Sequence, residues 1–590
     1  MSVPARHIAF FAGGLVVLAI AADLSAARYG PVVVTPQPVP QGQSTHGYVE
    51  YSFVVANNSP RDEHVVTLVM PQRAYGRGNR IQRMTRSVAV GPGSSARLSL
   101  FQPPLPISGS QVQVLIDGQA QAEVLGMSNS HMQTAIHHGG TRSVHVLLSR
   151  RLNRSDVENS FDRARPLRSG SRRGRDFVQM QGGVSWSEKW LAYSRFDSVM
   201  ISAGEWTELT VAARSALLRY VEVGGQLVVV GGWQLPEGWS ANSRPQPYGH
   251  QHDLGFGKVA VVSNVTPRTW DGKIWKPVAD GMVATSRPFQ HIRDVQSANR
   301  EFPVVEHLGI PVRGLFLLML LFAVLIGPVN LVVLAKKRRK IWMLWTVPVI
   351  SLLFCGMVFA YNIFAEGFTA YSRTQTVTIL DQVNRRASTI GWAAYYSPLT
   401  PSGGLRFSYD TELTPHVQMH YYSAGRGRSV DWTSEQQLSS GWIAARVPAH
   451  FLVRKSEVGD TGRLRVEFTQ AADGTVQATN GLKVRIVRLS YADAEGRIHE
   501  AEQIEPGARA QLKLASGSAT ASRELRSVYA NDWILQMRRL AAPGGEAMLR
   551  GPGRYVAVIE SSPFLRPGLG GAEAKAELSV VVGITGQSSP

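Results

Sequence analysis

The chain contains a single cysteine, Cys355, among its 590 residues. One cysteine excludes a disulfide bond within the chain, although an exported protein could keep one. Because Cys355 lies inside a long apolar run, the remaining segments also lack a thiolate nucleophile. Disulfide-stapled folds and cysteine-dependent active sites outside that run are therefore excluded.

Acidic residues are scarce relative to basic ones. There are 43 Asp and Glu against 62 Lys and Arg, which gives a formal net charge of +19. Much of the excess is arginine between Arg142 and Arg175. In an exported segment such charge attracts lipid headgroups or anionic envelope polymers rather than nucleic acid. A solvated loop that binds nothing is the alternative, and the sequence leaves both open.

Charged residues are absent from two long apolar runs, residues 314–334 and 341–364. Each run has about the 20 residues that a helix needs to cross a bilayer core of roughly 30 Å. We therefore predict a transmembrane helix hairpin over residues 312–364. The loop between the runs consists of basic residues, which mark the cytoplasmic side: Lys336, Lys337, Arg338, Arg339 and Lys340. Both flanking segments should then lie on the extracytoplasmic side of the membrane.

The first 27 residues have the pattern of a secretory signal. Arg6 precedes an apolar stretch over residues 8–20, and Ser25 and Ala27 suit the −3 and −1 positions of a cleavage site. An uncleaved signal anchor is the alternative. Either one exports the residues that follow.

Residues 29–127 have a β pattern. Runs of β-branched and alternating residues are separated by the turn-forming segments 57–60 (NNSP) and 91–93 (GPG). Short strands at this spacing predict a β-sandwich. The segment resembles the immunoglobulin-like accessory modules of bacterial envelope proteins, which implies a fold and no chemistry.

Residues 131–305 change to an α/β pattern. Nearly continuous apolar runs at residues 143–149, 196–202 and 226–232 predict strands buried on both faces. A helix beginning near Thr207 and ending at Gly224 separates the last two, so these strands should be parallel. The run FDSVMIS…ALLRYVEVGGQLVVVGG resembles the class I glutamine amidotransferase-like fold, which has a flavodoxin-like sheet.

That resemblance implies a cysteine nucleophile on a sharp turn after the third of these strands. The corresponding positions are Gly231, Gly232 and Trp233, and none is a nucleophile. The resemblance therefore implies the fold without the activity. We predict that the protein is not an enzyme and has no cofactor.

Ligands of open α/β sheets bind beyond the carboxyl ends of the strands. The residues that we expect near this edge are Ser149, Glu205, Trp206, Trp233, His250 and His252. A carboxylate with two histidines is a metal-ligand set. However, a negative charge such as Glu205 also suits the start of a helix, and both histidines fall in a glycine-rich loop. Glu205, Trp206, Trp233, His250 and His252 are therefore candidate binding residues, purely structural roles are the alternative, and we predict no metal.

Residues 367–590 are predicted to form a β-rich exported domain. The segment 505–514 (EPGARAQLKL) has the same turn-then-strand pattern as residues 91–100, so a second sandwich and a more open β domain both remain candidates. A helix is predicted over residues 522–541.

The overall layout resembles a group of bacterial membrane proteins that combine β modules, a degenerate amidotransferase-like domain and a membrane hairpin with a GPVN segment, here residues 327–330. We predict a non-enzymatic envelope protein that contacts membrane lipid and binds a partner protein or an anionic envelope component. The alternative is an envelope hydrolase with a non-cysteine site at the α/β edge. That alternative requires Glu205 to converge with His250 or His252 to within about 3 Å of a common point.

Overall fold

We describe the protein from a computed structural model. The structure describes residues 26–40, 46–71, 79–107, 109, 111–127, 144–164, 175–239, 241–283, 294–305, 312–337, 340–366, 369–416, 427–459, 464–470, 475–515, 551–575 and 577–585. These residues form a body dominated by β-sheets and a pair of apolar helices. The coarse expectation of several sheets and two long apolar helices is confirmed.

The first part of the body is built from strands only. The strands are β1 Ala27–Tyr29, β2 Val32–Gln37, β3 Val49–Asn57, β4 His64–Met70, β5 Ile81–Val90, β6 Ser95–Gln102, β7 Gln111–Ile116, β8 Gln119–Ala120 and β9 Leu125–Gly126. Antiparallel pairing joins β1-β2-β3-β6 into what we call the front sheet. In β3, buried residues alternate with partly exposed ones, because successive side chains of a strand point to opposite faces.

Residues 144–305 form the α/β part. Its strands are β10 Val144–Leu148, β11 Arg175–Gln179, β12 Ser198–Ser202, β13 Gln226–Val230, β14 Asn242–Gln246, β15 Gly249–Leu254 and β16 Gly257–Val262. The sheet order is β11-β10-β12-β13-β16-β15-β14. The first five of these strands are parallel, and β15 and β14 pair antiparallel at the edge. Because β10 and β13 are buried along their whole length, they have almost only apolar residues.

The helices of this part are α1 Arg154–Ala164, α2 Ala203–Glu208, α3 Val211–Glu222, α4 Gly272–Val283 and α5 Val295–Glu301. The helix predicted to begin near Thr207 is divided in two. Helix α2 ends at Glu208, and Thr210 caps α3 because its side-chain oxygen accepts the backbone N–H of Ala213 at 3.1 Å. Both segments lie between the parallel strands β12 and β13, as expected.

The first apolar helix consists of the segments α6 Val312–Val324 and α7 Asn330–Lys336, and the second apolar helix is α8 Met343–Glu366. A π-helical turn, Leu325–Val329, joins α6 to α7 and contains Pro328, which cannot donate a helical hydrogen bond. The segments Phe316–Lys336 and Met343–Ala360 are long and apolar enough to cross a membrane. The Asn330 amide donates to the Thr346 hydroxyl across the pair at 2.9 Å.

Residues beyond α8 return to strand. The strands are β17 Tyr371–Asp381, β18 Arg386–Tyr396, β19 Leu405–Phe407, β20 Thr411–Pro415, β21 Arg428–Asp431, β22 Gln436–Ser440, β23 Ala449–Val458, β24 Val466–Gln470, β25 Val476–Asn480, β26 Ile486–Ala492, β27 Ile498–Ile504, β28 Arg509–Leu514, β29 Arg554–Ile559, β30 Glu573–Ala574 and β31 Ser579–Ile584. Most of them join one long sheet of order β20-β23-β18-β17-β31-β29-β26-β27-β28-β25-β24. The helix predicted over residues 522–541 lies outside the described residues.

A further sheet combines strands from both sides of the apolar helices, and we call it the shared sheet. Its order is β19-β22-β21-β5-β4-β7-β8, with β9 paired to β7. At the junction β21 runs parallel to β5, and the Thr85 hydroxyl donates to the Asp431 carboxylate at 3.0 Å. The sequence predicted separate domains before and after the hairpin, whereas the hydrogen-bonded pairing makes these strands one sheet.

Buried side chains connect the same parts a second time. The Tyr48 N–H donates to the Ser194 hydroxyl at 2.8 Å, and the Tyr48 hydroxyl accepts from Leu413 N–H at 3.2 Å and from the Gln436 amide at 2.6 Å. Tyr48, which directly precedes β3 of the front sheet, therefore hydrogen-bonds both to the α/β part and to strands that follow the apolar helices. The body before and after the helices is a single packed unit at this point.

Candidate functional site

The sequence predicts the candidate binding residues at the carboxyl edge of the parallel sheet. Ser149 directly follows β10 and is fully buried. Its hydroxyl accepts the backbone N–H of Ser202 at 3.3 Å, which ties the ends of β10 and β12 together. Ser149 therefore has a structural role at this edge of the sheet.

Glu205 lies in the first turn of α2, where the Ser202 hydroxyl caps the helix by accepting the Glu205 N–H at 3.2 Å. Its side chain is buried, with 4% of the residue exposed. One carboxylate oxygen, Oε1, accepts the indole N–H of Trp186 at 2.8 Å. The other, Oε2, has no hydrogen-bond partner among the described residues. Glu205 is thus oriented by an indole.

Trp206, Trp233 and His252 form a ladder of edge-to-face rings. The ring centroids of Trp206 and Trp233 are 5.6 Å apart, and those of Trp233 and His252 are 5.5 Å apart. Burial lowers the pKa of His252, and the neighbouring His250 on the same strand lowers it further. His252 is therefore a neutral ring packed on an indole at pH 7.

The structure brings three of the five binding candidates together and leaves Glu205 with a different partner. Within the described part of the chain, no hydrogen bond or ion pair joins Glu205 to His250 or His252. The described residues also contain no group of three or more His, Cys, Asp or Glu side chains that could hold a metal ion. After β13, the described residues 231–239 form an irregular segment leading to β14, without the helix that a nucleophile turn requires.

The basic loop lies at the end of the first apolar helix. Lys336 ends α7 and Lys337 follows it, and both are exposed. Arg338 and Arg339 lie outside the described residues, and Lys340 opens a short 3₁₀ turn, Lys340–Trp342. Of the arginine-rich stretch between Arg142 and Arg175, residues 142–143 and 165–174 are also outside the described residues.

A cavity that sequence reasoning did not predict lies between the front sheet and the α/β part, with a volume of about 180 Å³. On one side it is lined by polar side chains of β3 and β6, including Glu50, Ser52, Arg97 and Ser99. On the other side lie Leu147 of β10 and the segment 185–196 that connects β11 to β12. The polar face of the front sheet is therefore turned toward the α/β part and partly enclosed by it.

Arg195 is the most deeply buried cation of this cavity. Only 3% of the residue is exposed, and burial lowers the pKa of its guanidinium to about 10. Nη2 donates to the Pro40 carbonyl at 2.6 Å, and the guanidinium carbon lies 4.4 Å from the centroid of the Phe196 ring. Nη1 has no hydrogen-bond partner among the described residues.

The carboxylate of Glu50 lies among several donors in the same cavity. It accepts the Ser99 hydroxyl at 2.6 Å, while Arg86 donates to the Ser99 carbonyl at 2.6 Å. Burial raises the pKa of Glu50, and the hydroxyls of Ser99 and Ser187 together with the Arg97 charge oppose that rise. A carboxylate in this setting is held by hydrogen bonds rather than by a direct ion pair.

Trp186 connects the cavity to the sheet edge. Its ring lines the cavity, and its indole N–H is the group that holds Glu205. Glu205 is therefore connected to the cavity through a single intervening residue, Trp186. Among the described residues, this hydrogen bond links the predicted candidate Glu205 to the cavity.

No protein family model matches the chain, and no curated protein matches it.

Proposed function

We propose that the protein is a non-enzymatic, membrane-anchored binding protein of the bacterial envelope. In this proposal α6 to α8 cross the inner membrane as a hairpin, and the β-rich body before and after them is extracytoplasmic. The α/β part would be a flavodoxin-like, amidotransferase-related domain that has lost its nucleophile. The strand order β11-β10-β12-β13-β16, which is order 2-1-3-4-5 along the chain, supports that assignment.

The observation that carries the proposal is the shared sheet. Because β5 and β21 are hydrogen-bonded neighbours, the segments before and after the apolar helices have to be on one side of any membrane that the helices cross. An even number of crossings satisfies this condition, and two apolar helices supply it. The exposed basic residues at the hairpin's tip suit the cytoplasmic face.

Two observations support a binding role, the contact made by Glu205 and the polar lining of the cavity. Glu205 is engaged by an indole rather than by a histidine, so the acid–base pair that a hydrolase needs is not assembled there. The cavity instead presents polar and charged side chains between two packed parts of the body. Such an arrangement suits recognition of a ligand without chemistry on it.

Cysteine labelling in cells tests the topology. In a Cys355→Ala background, three single variants report on three positions: Glu123→Cys in the exposed turn after β8, Lys513→Cys on β28, and Lys337→Cys at the hairpin's tip. We expect an impermeant maleimide to label the first two in cells with a permeabilised outer membrane, and to label Lys337→Cys only after lysis. Labelling of Glu123→Cys and Lys513→Cys on different sides, or of Lys337→Cys together with them, would reject the proposal.

A further inference from the structure

The cavity between the front sheet and the α/β part has an excess of positive charge. Among the described residues that line it, the cationic ones are Arg86, Arg97, Lys189 and Arg195, and the carboxylates are Glu50 and Glu188. Burial raises the pKa of Glu50, the charges of Arg97 and Lys189 oppose that rise, and the charges of Asp176 and Glu50 favour the charged form of Arg195. With every one of these lining groups charged, four cations face two carboxylates, so the lining has an excess of positive charge.

Arg195 has an unused donor at this position. Its Nη1 is buried without a hydrogen-bond partner among the described residues, although its Nη2 donates to Pro40 and its guanidinium lies over the Phe196 ring. A buried donor on a charged group that lacks an acceptor is costly, because nothing replaces the water it lost. Guanidinium groups pair with carboxylates and phosphates through two parallel N–H groups, so an oxyanion is the partner that this group fits best.

The remaining lining indicates the rest of the ligand. The hydroxyls of Ser52 and Ser187 provide donors and acceptors, and the rings of Trp186 and Tyr193 provide apolar faces. Rings beside hydroxyls and carboxylates suit a molecule with several hydroxyl groups and apolar C–H faces. The volume of about 180 Å³ is more than ten times the roughly 10–15 Å³ that holds one water molecule, and below the roughly 300–1,000 Å³ of sites for drug-sized ligands.

We propose that this cavity binds a small hydroxylated oxyanion, of the acidic-sugar class, through Arg195 with Arg97 and Lys189 as further cationic contacts. The oxyanion is a carboxylate or a phosphate monoester. The inference deepens the binding role proposed above by giving its ligand class, and its test does not depend on the topology of the membrane hairpin.

Isothermal titration calorimetry on the purified full chain in a non-ionic detergent provides the test. The probes are D-glucuronate, D-glucose 6-phosphate and the neutral sugar D-glucose. We expect at least one of the two anions to bind at least tenfold more tightly than glucose. Tighter binding of glucuronate would identify a carboxylate ligand, and tighter binding of the phosphate ester would identify a phosphoryl ligand.

Two variants of cavity residues and one control variant then test whether the anion binds in this cavity. Arg195→Met is expected to weaken anion binding by about 10–100-fold, since it removes a charge-assisted contact. Arg97→Gln changes an exposed residue on the polar face of β6, where the guanidinium donates to the Ser185 hydroxyl at 3.4 Å and its charge acts on Glu50. It removes charge at a more tolerant position and is expected to weaken binding several-fold. Arg300→Met, on the exposed face of α5, is the matched control and should leave binding unchanged.

Several results would overturn the proposal. They are no measurable binding of either anion, equal binding of glucose, or unchanged anion binding in both cavity variants. If Arg195→Met fails to fold, as judged by its melting curve, the Arg97→Gln result decides. A cysteine-labelling pattern that contradicts the proposed topology, together with intact anion binding, would reject the membrane arrangement and leave the ligand proposal standing.

Discussion

Replacing Arg386 by methionine removes one member of a buried ion pair that joins β18 to α3. Arg386 Nε lies 2.9 Å from Glu222 Oε1, and Nη2 lies 3.3 Å from Oε2. The two side chains are 9% and 8% exposed. The guanidinium carbon lies 3.4 Å from the ring centroid of Trp239, so a methionine keeps much of the apolar contact. The substitution therefore isolates the charge.

The expected loss of folding stability follows from the charge of Glu222, which stays buried without its partner. Burial raises the pKa of Glu222, while the paired Arg386, the charge of Arg219 and the Ser456 hydroxyl, which donates to the carboxylate at 3.3 Å, hold it down. Among the described residues, the substitution removes the paired cation and leaves the Ser456 hydroxyl and the charge of Arg219. Removing one partner of a buried pair costs about 3–5 kcal/mol, because the other charge stays buried. At roughly 2 °C per kcal/mol, the lower end of the scale for domains of 150–250 residues, the melting temperature should fall by about 6–10 °C.

Thermal unfolding of the full chain in detergent, followed by tryptophan fluorescence, measures this effect. The matched control is Arg485→Met, because Arg485 also pairs with a glutamate, Glu560, but both side chains are at least 40% exposed. Exposed pairs contribute about 0–1 kcal/mol. A double variant with Glu222→Leu and Arg386→Met should regain most of the loss, since both charges are then absent. If Arg386→Met shifts the melting temperature no more than Arg485→Met does, this pair does not hold the α/β part to the long sheet.

The pH and the membrane helices provide two more predictions. Burial lowers the pKa of His450 to about 4, with Nε2–H donating to the Phe302 carbonyl at 3.0 Å, so the neutral ring stabilises the fold. Because the unfolded chain takes up this proton near pH 6.5, stability should be full above that pH and fall by up to roughly 3 kcal/mol as the pH drops to about 4. Denaturant titrations at pH 7.5, 5.5 and 4.5 with His450→Asn as control measure this, and an equal fall in the variant would contradict it. Asn330→Leu removes the hydrogen bond to Thr346 and should weaken helix pairing by about 0.6 kcal/mol, measured as a small fall in resistance to SDS. No change in resistance to SDS would show that this contact does not hold the helices together.

Local sequence patterns predicted the α/β strands well. Strands β10, β12 and β13 lie within the predicted residues 143–149, 196–202 and 226–232, because a strand buried on both faces requires an unbroken apolar run. The helix between the last two was misplaced at its start. Thr207 and Thr210 both suit a helix cap, and only the three-dimensional path of the chain selects Thr210.

The shared sheet and the cavity were not predictable in the same way. The sequence pattern indicates a strand before residues 91–93, which is part of β5, whereas the four residues of β21 are too few to show a period. Periodicity also carries no information about which distant strand a given strand pairs with. Glu50 and Arg97 read as solvent-facing residues of an amphipathic strand, since alternation looks the same whether the polar face meets water or another domain. Arg195 comes directly before the predicted strand at residues 196–202, and a charge at that position is a local signal that could have indicated the cavity.

Because β5 pairs with β21, the shared sheet cannot be completed until the ribosome has synthesised β21. Thr85 and Asp431 are 346 residues apart in sequence. At roughly 5–20 residues per second, the ribosome needs on the order of 17–70 s to make that interval. Throughout it the edge of β5 has unpaired backbone donors and acceptors, which are a template for wrong strand pairing. Nascent chains of this protein therefore pass through a long aggregation-sensitive period, which ends only when the segment following the second apolar helix returns to complete the sheet.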